Sequence, residues 1–238
     1  MARTDLNIRT FFICLNRLGN FFCKVTVPAF PCEIFRSIPS LFVGCDSIAD
    51  SSRFILKTTN DNIPADIPYL QIDKKLKTQW HNWKKQFEGL KIGINWSGNK
   101  DNPAELYRQI PPNVLAPLSE ITGITWFNLQ KGNNSNRIGQ LSKKFNLIET
   151  GQAPLEETAA LISELDLVIT TDTAVAHLSG ALGKTVWILL HHAPDWRWLT
   201  SGETSHWYPS AKLFRQSSPG HWDEVIDSVY QELLTFTP

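Results

Sequence analysis

The stretch DLVITTDTAVAHLSGALGKTVWILL, residues 166–190, decides the fold of this 238-residue chain. Its two ends are continuous apolar runs, as is typical of strands that are buried on both faces of a parallel sheet. The segment AVAHLSGAL between them (174–182) has the length of a short helix, and Gly183 stands where a left-handed residue often ends one. The stretch therefore predicts a strand, a turn, a helix and a second strand of an α/β fold.

Five polar side chains stand where the first strand meets the helix: Thr170, Thr171, Asp172, Thr173 and His177. In an open parallel sheet this turn lies at the edge where ligands bind, and the free N–H groups of the next helix point there. Those groups favour an anion, and the small residues Ala174 and Ala176 would let a diphosphate approach the backbone. Alternatively, Thr171, Asp172 or Thr173 only caps the helix.

The apolar residues of this helix predict the direction in which His177 points. Val175, Leu178 and Leu182 form the stripe that would face the sheet. At 100° per residue, His177 lies about 100 to 160° away from that stripe. We therefore expect the histidine to face outward or toward another domain.

Strands and helices alternate along the rest of the chain from residue 73 onward. Asp73 is placed to cap the first helix and Gly89 to end it. Helices are predicted over 73–89, 113–121, 136–144, 154–165 and 221–235, and strands over 91–96, 125–130, 146–149 and 211–215. This alternation implies right-handed crossovers and a parallel sheet that is covered on both faces. The sequence thus predicts a Rossmann-like half-domain.

The composition changes along the chain, which predicts more than one region. All nine tryptophans lie at or after Trp80, while all four cysteines lie before residue 46. Between them, NDNIPADIPYL (60–70) has two prolines in turn-prone surroundings, as is typical of a linker. The predicted regions are an N-terminal region without a clean period, a linker with a helix, and the Rossmann-like domain: residues 1–60, 61–89 and 90–238.

The bulk composition is that of a globular protein and gives no support for binding to nucleic acid or to an anionic membrane. The chain has 42% hydrophobic and 19% charged residues, as globular proteins do, and 23 Lys and Arg balance 23 Asp and Glu. No net charge therefore draws it to nucleic acid or to an anionic membrane. No apolar run approaches the roughly 20 residues of a transmembrane segment, and FFICL (11–15) is too short for a signal peptide. We expect a cytoplasmic protein.

Two further polar turns follow predicted strands. NWSGN (95–99) ends the first strand, and Arg108 lies close behind it, where its guanidinium could hold a phosphate with two N–H groups. LQKG (129–132) repeats the pattern with Lys131. Either segment could be an ordinary turn, and the lysine could simply be solvated. Three such turns at one sheet edge nevertheless favour a ligand that carries phosphate.

The segment HHAPDWRWLTSGETSHWYPSAKLFRQ (191–216) carries three tryptophans and a tyrosine. These rings could stack on a base or a sugar, or they could close the edge of the sheet. The segment has no GxSxG motif that would favour a serine hydrolase, and neither has the rest of the chain.

No metal site is predicted from the spacing of possible ligands. The acidic and histidine side chains near the turn show no HxxxH or HExxH pattern: His177, His191, His192, Asp172 and Asp195. The cysteines form no CxxC pair and are expected to be reduced thiols: Cys14, Cys23, Cys32 and Cys45.

Several of these motifs together resemble a known family. The opening stretch, followed by PDWRWL and WYPSAKLFRQ, is similar to the C-terminal domain of bacterial glycosyltransferases that are often fused to tetratricopeptide repeats. These enzymes are relatives of the lipopolysaccharide heptosyltransferases. IGINWSGN, the segment from Arg108 to Pro111, LQKG and IPADIPYL (63–70) match as well, so the resemblance covers about residues 54–235.

The resemblance implies the two-domain GT-B architecture. The C-terminal half of such enzymes holds a nucleoside diphosphate sugar without a metal or another cofactor, and the N-terminal half presents the acceptor. The implied donor-site residues are Asp172, Thr173 and His177 along the diphosphate, Ser97, Gly98 and Asn99 on the opposite wall, Arg108 on the phosphate charge, and Gln130 and Lys131 beside the nucleotide. The polar turn would then stabilise the departing diphosphate.

The N-terminal region departs from this family. Members have a full acceptor domain that usually opens with a Gly-Asp-rich motif, whereas barely 60 residues precede the linker here and contain no such motif. An inverting transfer needs a base for the acceptor proton, which the N-terminal half supplies in this class. No motif selects that base among the carboxylates of the region: Asp5, Glu33, Asp46, Asp50, Asp61 and Asp66.

Three functions follow as hypotheses. The first is a glycosyltransferase, or its donor-binding half, whose acceptor is a glycan, a lipid or a protein. The second is a truncated chain that binds a nucleotide or a partner without turnover. The third is a Rossmann-like regulatory module that has no sugar ligand and would tolerate the loss of Arg108.

Overall fold

The computed structural model of this chain describes residues 66–131, 145, 147–150 and 153–238, with Thr59 and Ile63 as single positions. The chain divides into two compact units, Met1–Ile63 and Pro64–Pro238. Nearly all described residues belong to the second unit, whose fold is given below. The four cysteines and the predicted helix 136–144 lie outside the described residues.

Strands and helices alternate along the described part of the second unit. The strands are β1 (Leu90–Asn95), β2 (Ile124–Asn128), β3 (Ile148–Glu149), β4 (Leu167–Thr171), β5 (Val186–Leu190) and β6 (Ala211–Arg215). The α-helices are α1 (Lys74–Lys84), α2 (Glu105–Arg108), α3 (Leu155–Glu164), α4 (Ala174–Ala181) and α5 (Trp222–Thr235), and two 3₁₀ helices cover Pro112–Glu120 and Trp196–Trp198. In this part of the chain, no helix has both the length and the apolar character to cross a bilayer.

The six strands form one sheet in the order β3-β2-β1-β4-β5-β6, and every pairing is parallel. Apolar side chains are buried on both faces. One face packs under α1, α3 and α4, and the other packs under α5 and the 3₁₀ helix Pro112–Glu120. The α/β fold with a doubly covered parallel sheet is therefore confirmed, and its strands are as apolar as two buried faces require.

The segment predicted as a helix over 113–121 is a 3₁₀ helix instead of an α-helix. Pro117 lies inside it, and a proline has no N–H group for an α-helical hydrogen bond and restricts the residue before it. Leu115 and Leu118 are buried as the pattern predicts. Residues three apart lie above one another in a 3₁₀ helix, so this spacing suits either helix type.

Helix α1 begins where the sequence predicts but ends earlier. The Asp73 carboxylate accepts hydrogen bonds from the backbone N–H groups of Lys75 (2.9 Å) and Leu76 (3.1 Å). The helix ends at Lys84, and Gly89 takes its positive φ of 69° in the turn that leads into β1. The prediction that Gly89 ends the helix is wrong. The α-helical hydrogen bonds stop earlier, and Phe87 N–H donates to the carbonyl oxygen of Lys84, three residues before it, in a tighter turn.

Helices α1 and α3 are joined by a buried carboxylate. Glu164, whose side chain is 6% exposed, lies 2.9 Å from His81 Nδ1 and 2.7 Å from Lys84 Nζ. Burial by itself would raise the pKa of Glu164, but the hydrogen bonds from Lys84 and His81 outweigh it and lower the pKa. A carboxyl group with a lowered pKa in the folded state stabilises the fold while it is ionised.

Replacing Glu164 with glutamine is expected to lower the free energy of unfolding by about 1–2 kcal/mol at pH 7, since charged hydrogen bonds are lost. The contribution is present above the pKa of an unfolded glutamate, about 4.3, and is lost as the pH falls through the lower folded value. Urea unfolding at pH 7 and near pH 3 measures both effects. Glu156→Gln, on the exposed face of the same helix, should change stability by less than about 0.5 kcal/mol. A Glu164→Gln deficit that persists unchanged at pH 3 would contradict the explanation.

Candidate functional site

The strand order places a crevice between the carboxyl ends of β1 and β4. From β1 the chain continues to β2 and β3 on one side, and β4 returns to the other side of β1. In such sheets, ligands bind at the point where the strand order reverses. Asn95 of β1 lies opposite Thr170 of β4 in the register, so the turns that follow these two strands flank the same crevice.

The turn after β4 starts helix α4 without a side-chain cap. Thr173 occupies the N-cap position in extended backbone (φ −137°), yet its side chain makes no capping hydrogen bond. Its hydroxyl donates instead to Asn95 Oδ1 at 3.3 Å, which ties the start of α4 to the end of β1. The alternative that this turn serves only to cap the helix is therefore wrong for Thr173. No side chain at the N-cap competes with an anion for the first N–H groups of α4.

The loop after β1 is organised by a buried carboxylate. Glu105, whose side chain is 5% exposed, accepts hydrogen bonds from Gly98 N–H (2.6 Å) and from Arg108 Nε (2.8 Å). A methyl group added at Gly98 would lie 2.6 Å from Arg108 Nη2, so the guanidinium passes directly over this glycine. Ser97 is buried beside it, while Asn99 is exposed. Three of the predicted residues, Ser97, Gly98 and Arg108, thus form one wall of the crevice.

The turn after β2 joins this wall from the other side. Gln130 is 3% exposed, and its Oε1 accepts hydrogen bonds from the backbone N–H groups of Trp96 (3.3 Å) and Ser97 (3.0 Å). Lys131 donates from Nζ to the carbonyl oxygen of Ala153 at 2.9 Å. Burial lowers the pKa of Lys131, and Glu157 opposes that effect. The structure places Gln130 as a brace for the β1 loop, and a direct contact of either side chain with a nucleotide stays a prediction.

The ring of His177 is enclosed rather than turned outward. It stacks on Trp198 with ring centroids 5.3 Å apart, and its Nδ1 lies 3.0 Å from the hydroxyl of Tyr208. Its Nε2 lies 3.7 Å from Asp172 Oδ1, and 16% of the side chain is exposed. The alternative that His177 faces outward to solvent is wrong because Trp198 and Tyr208, from the distant segment 191–216, cover the ring; its orientation toward another domain stays a prediction.

Burial and the same neighbouring charges change the pKa values of two histidines at this edge, His177 and His191. Burial lowers the pKa of His177, Asp172 opposes it, and Arg108 adds to the lowering among smaller effects. The pKa of His191 is lowered by burial as well, with opposition from Asp172 and a further lowering from Arg108. His177 and His191 are therefore both within electrostatic reach of Asp172 and of Arg108.

Three side-chain atoms at the carboxyl ends of β4, β5 and β6 are buried and have no hydrogen-bond partner among the described residues: Thr171 Oγ1, His191 Nδ1 and Gln216 Nε2. Buried polar atoms normally have partners, because leaving one unpaired costs about 1–3 kcal/mol. These three atoms extend the polar carboxyl edge of the sheet beyond the residues that the sequence predicts for the site. The sequence gives no local signal for it, since each atom belongs to a different strand end.

The aromatic segment 191–216 mainly closes the edge of the sheet. Trp198 and Tyr208 are buried, whereas Trp196 is 48% exposed and packs on Trp207 with ring centroids 5.9 Å apart. Arg215 of β6 fastens this segment through backbone carbonyl oxygens, at 2.7 Å to Gly202 and also to Leu199, Ser201 and Trp198. Trp198 and Tyr208 therefore close the edge of the sheet, as one of the two alternatives predicts. Stacking on a ligand stays a prediction for Trp196.

The described residues provide neither a set of metal ligands nor a carboxylate that can be assigned as the base for the acceptor proton. Within the described ranges, no three histidine, cysteine or acidic side chains come together as a set of metal ligands. Of the six N-terminal carboxylates considered as the base, Asp66 is described and is exposed, and the other five lie outside the described residues.

Comparison with known proteins agrees with this geometry. Residues 99–189, which include Arg108 and the turn at Asp172, match the family described as Glycosyltransferase family 9 (heptosyltransferase). The chain is also 31% identical over 224 residues to Protein FlbA of Caulobacter vibrioides (strain ATCC 19089 / CIP 103742 / CB 15). That alignment covers 87% of this chain and 36% of FlbA, so the chain spans about a third of the length of this relative.

One solved structure shows a similar fold at low sequence identity, and a second is given with it for comparison. The E. coli heptosyltransferase WaaC with ADP-2-deoxy-2-fluoro heptose has a TM-score of 0.50 at 12% identity, over 84% of this chain and 60% of that chain. E. coli ADP-heptose lps heptosyltransferase II has a TM-score of 0.48 at 15% identity, over 71% of this chain and 55% of that chain. Residues 99–189 are therefore similar to glycosyltransferase family 9, and the α/β fold is similar to that of a heptosyltransferase. The predicted resemblance to heptosyltransferases is confirmed at that level.

Proposed function

We propose that this chain is the donor-binding part of a glycosyltransferase that transfers a sugar from a nucleoside diphosphate sugar. The observation that carries the proposal is the start of α4, which has no side-chain cap and lies beside the Arg108 loop at the point where the strand order reverses. The match to glycosyltransferase family 9 covers residues 99–189, which include Arg108 and the start of α4. A diphosphate fits between them because each wall offers N–H groups or positive charge.

The chemistry that such a site supplies is stabilisation of the leaving group. When the sugar bond breaks, negative charge grows on the diphosphate, and donors already held in place stabilise it without further reorganisation. The first N–H groups of α4, the guanidinium of Arg108 and the imidazole of His177 are such donors. Thr173 ties the start of α4 to Asn95, and Glu105 holds the guanidinium of Arg108 directly through Nε. Because the positive charge comes from the protein and the helix dipole, the proposal needs no metal.

The remaining features of the reaction are also proposals. ADP is the first nucleotide to test, because the E. coli heptosyltransferase WaaC, which has a similar fold, is solved with ADP-2-deoxy-2-fluoro heptose. The acceptor is a glycan, a lipid or a protein. Association with tetratricopeptide repeats and a cytoplasmic location belong to the same proposal.

Thermal unfolding with ADP, UDP and GDP tests the donor site. A nucleotide at about 100 times its dissociation constant adds roughly 2.7 kcal/mol to stability, which should raise the midpoint by about 5 to 10 °C for a protein of this size. Arg108→Ala should abolish most of the shift, because a phosphate loses its charged partner. The shift should be the same in EDTA if no metal takes part.

Lys212→Ala serves as the matched control. Lys212 pairs with Glu232 at 2.6 Å, and both side chains are about a third exposed, so its loss should leave the nucleotide shift intact. A folded sample that shifts with none of the three nucleotides would replace the proposal with a non-catalytic partner-binding module. A shift that survives Arg108→Ala would leave nucleotide binding standing but remove Arg108 from the site.

A further inference from the structure

Tyr208 and Tyr69 form a hydrogen-bonded chain behind His177. The hydroxyl of Tyr208 lies 3.0 Å from His177 Nδ1 and is also hydrogen-bonded to the hydroxyl of Tyr69. Tyr69 is fixed to α4 by its backbone N–H, which donates to the carbonyl oxygen of Ala181 at 3.1 Å. A chain of polar groups therefore runs from the segment before α1, through the aromatic segment, to the first turn of α4.

The position of the Tyr208 ring is tightly determined. The ring covers Gly180 so closely that a methyl group on this glycine would overlap it. The Tyr208 N–H donates to Ser205 Oγ at 3.3 Å, and 5% of the residue is exposed. Packing of the ring therefore fixes the position of the Tyr208 hydroxyl oxygen beside His177.

The Tyr208 hydroxyl at Nδ1 and the charge of Asp172 near Nε2 together set which nitrogen of His177 carries the proton. A neutral imidazole has one N–H and one lone pair. Asp172 Oδ1 lies 3.7 Å from Nε2, and a carboxylate attracts an N–H but repels a lone pair. Nε2 is therefore the protonated nitrogen, and Nδ1 accepts the hydrogen of Tyr208. Burial raises the pKa of Tyr208 and lowers that of His177, so both groups are neutral in this arrangement.

We infer that Tyr208, backed by Tyr69, is a positioning residue that fixes His177 as the neutral Nε2–H tautomer. The purpose of this arrangement rests on the proposed function. The Nε2–H group lies on the edge of the ring that faces Asp172 and the start of α4. In the proposed function, the diphosphate lies at that edge. Outer hydrogen bonds fix the tautomer of metal-binding and catalytic histidines in the same way. The tautomer itself is a property of the free protein and is measured without any nucleotide.

Nitrogen NMR of the ¹⁵N-histidine-labelled chain at pH 7.5 reads the tautomer directly. His177→Gln identifies the signals of this residue among the six histidines. In the wild-type chain, we expect an unprotonated Nδ1 and a protonated Nε2. Tyr208→Phe keeps the ring but removes the hydroxyl, so a mixture of tautomers should appear. Tyr230→Phe, at a partly buried tyrosine of α5 that packs on the other face of the sheet, should leave the His177 signals unchanged.

The affinity for ADP gives the functional readout. Loss of the fixed donor should weaken ADP binding about five-fold in Tyr208→Phe, the effect of one ordinary hydrogen bond, and not at all in Tyr230→Phe. A protonated Nδ1 in the wild-type chain would overturn the inference, and so would a His177 spectrum that Tyr208→Phe does not change. If the wild-type tautomer is as expected but ADP, UDP and GDP all fail to bind, the tautomer assignment stands and the proposed function fails.

Discussion

Replacing Glu105 with alanine is expected to lower the free energy of unfolding by about 2–4 kcal/mol, among the largest effects of any substitution near the site. Glu105 is buried, and it is the acceptor for both Gly98 N–H (2.6 Å) and Arg108 Nε (2.8 Å). Without it, a largely buried guanidinium loses its counter-charge and a backbone donor loses its partner. The estimate lies below that for a fully buried pair, because 14% of the Arg108 side chain is exposed.

Glutamine at the same position separates the two roles of Glu105. Its one carbonyl oxygen can accept from either Gly98 or Arg108, while its NH₂ group then faces the other donor, so Glu105→Gln should lose about half as much stability. Urea unfolding at pH 7 measures both variants, with Glu232→Ala as the control for an exposed ion pair, expected to change stability by about 0–1 kcal/mol. If Glu105→Ala unfolded no more easily than Glu232→Ala, the buried carboxylate would not be organising this wall.

The second large effect is expected from Gly89→Ala, at about 3–5 kcal/mol. Gly89 has a φ of 69°, which costs an alanine roughly 1–2 kcal/mol. The added methyl group would also overlap the carbonyl oxygen of Gly123, a backbone atom that cannot rotate away. That oxygen accepts the hydrogen bond from Leu90 N–H at 2.9 Å, so relief of the overlap would disturb the start of β1 beside β2.

Gly123→Ala is the matched control for this substitution. Gly123 has a similar φ of 79°, but a methyl group there would meet nothing within 4 Å. Gly123→Ala should therefore lower the free energy of unfolding only by the cost of a positive φ for alanine, about 1–2 kcal/mol. Urea unfolding measures the stability of both variants. If Gly89→Ala and Gly123→Ala lost the same stability, the close contact between Gly89 and the Gly123 carbonyl would not add to the cost of the substitution.

Local sequence patterns predict most of the sheet because each strand is apolar over its own length. The strands at the two ends of the opening stretch, β4 and β5, are buried at every position, as their continuous apolar runs indicate. Helix α5 buries the residues that its 3.6-residue period selects: Trp222, Val225, Ile226, Val229 and Leu233. The polar turns were also identified correctly as strand ends, since turn residues follow each apolar run.

The parts of the site that the sequence does not reveal depend on residues far apart in the chain. Gln130 braces Ser97 across 33 positions, and Tyr208 bonds His177 across 31. No period or motif encodes such pairs, because they arise only when neighbouring strand ends and a covering segment meet. Glu105 lies three residues before Arg108, a spacing that could have signalled their ion pair, but its burial and its bond to Gly98 follow from the loop.

The sequence by itself determined the α/β class, the places where strands end in polar turns, and a resemblance to heptosyltransferases. These features are local, since apolar runs, caps and turn residues act within a few positions of one another. The tertiary structure alone decided that Thr173 bonds to Asn95 instead of capping α4, and that Trp198 and Tyr208 enclose His177. The strand order β2-β1-β4 decided that three polar turns share one edge. Packing sets these features because each depends on which distant surface covers a residue once the apolar faces are buried.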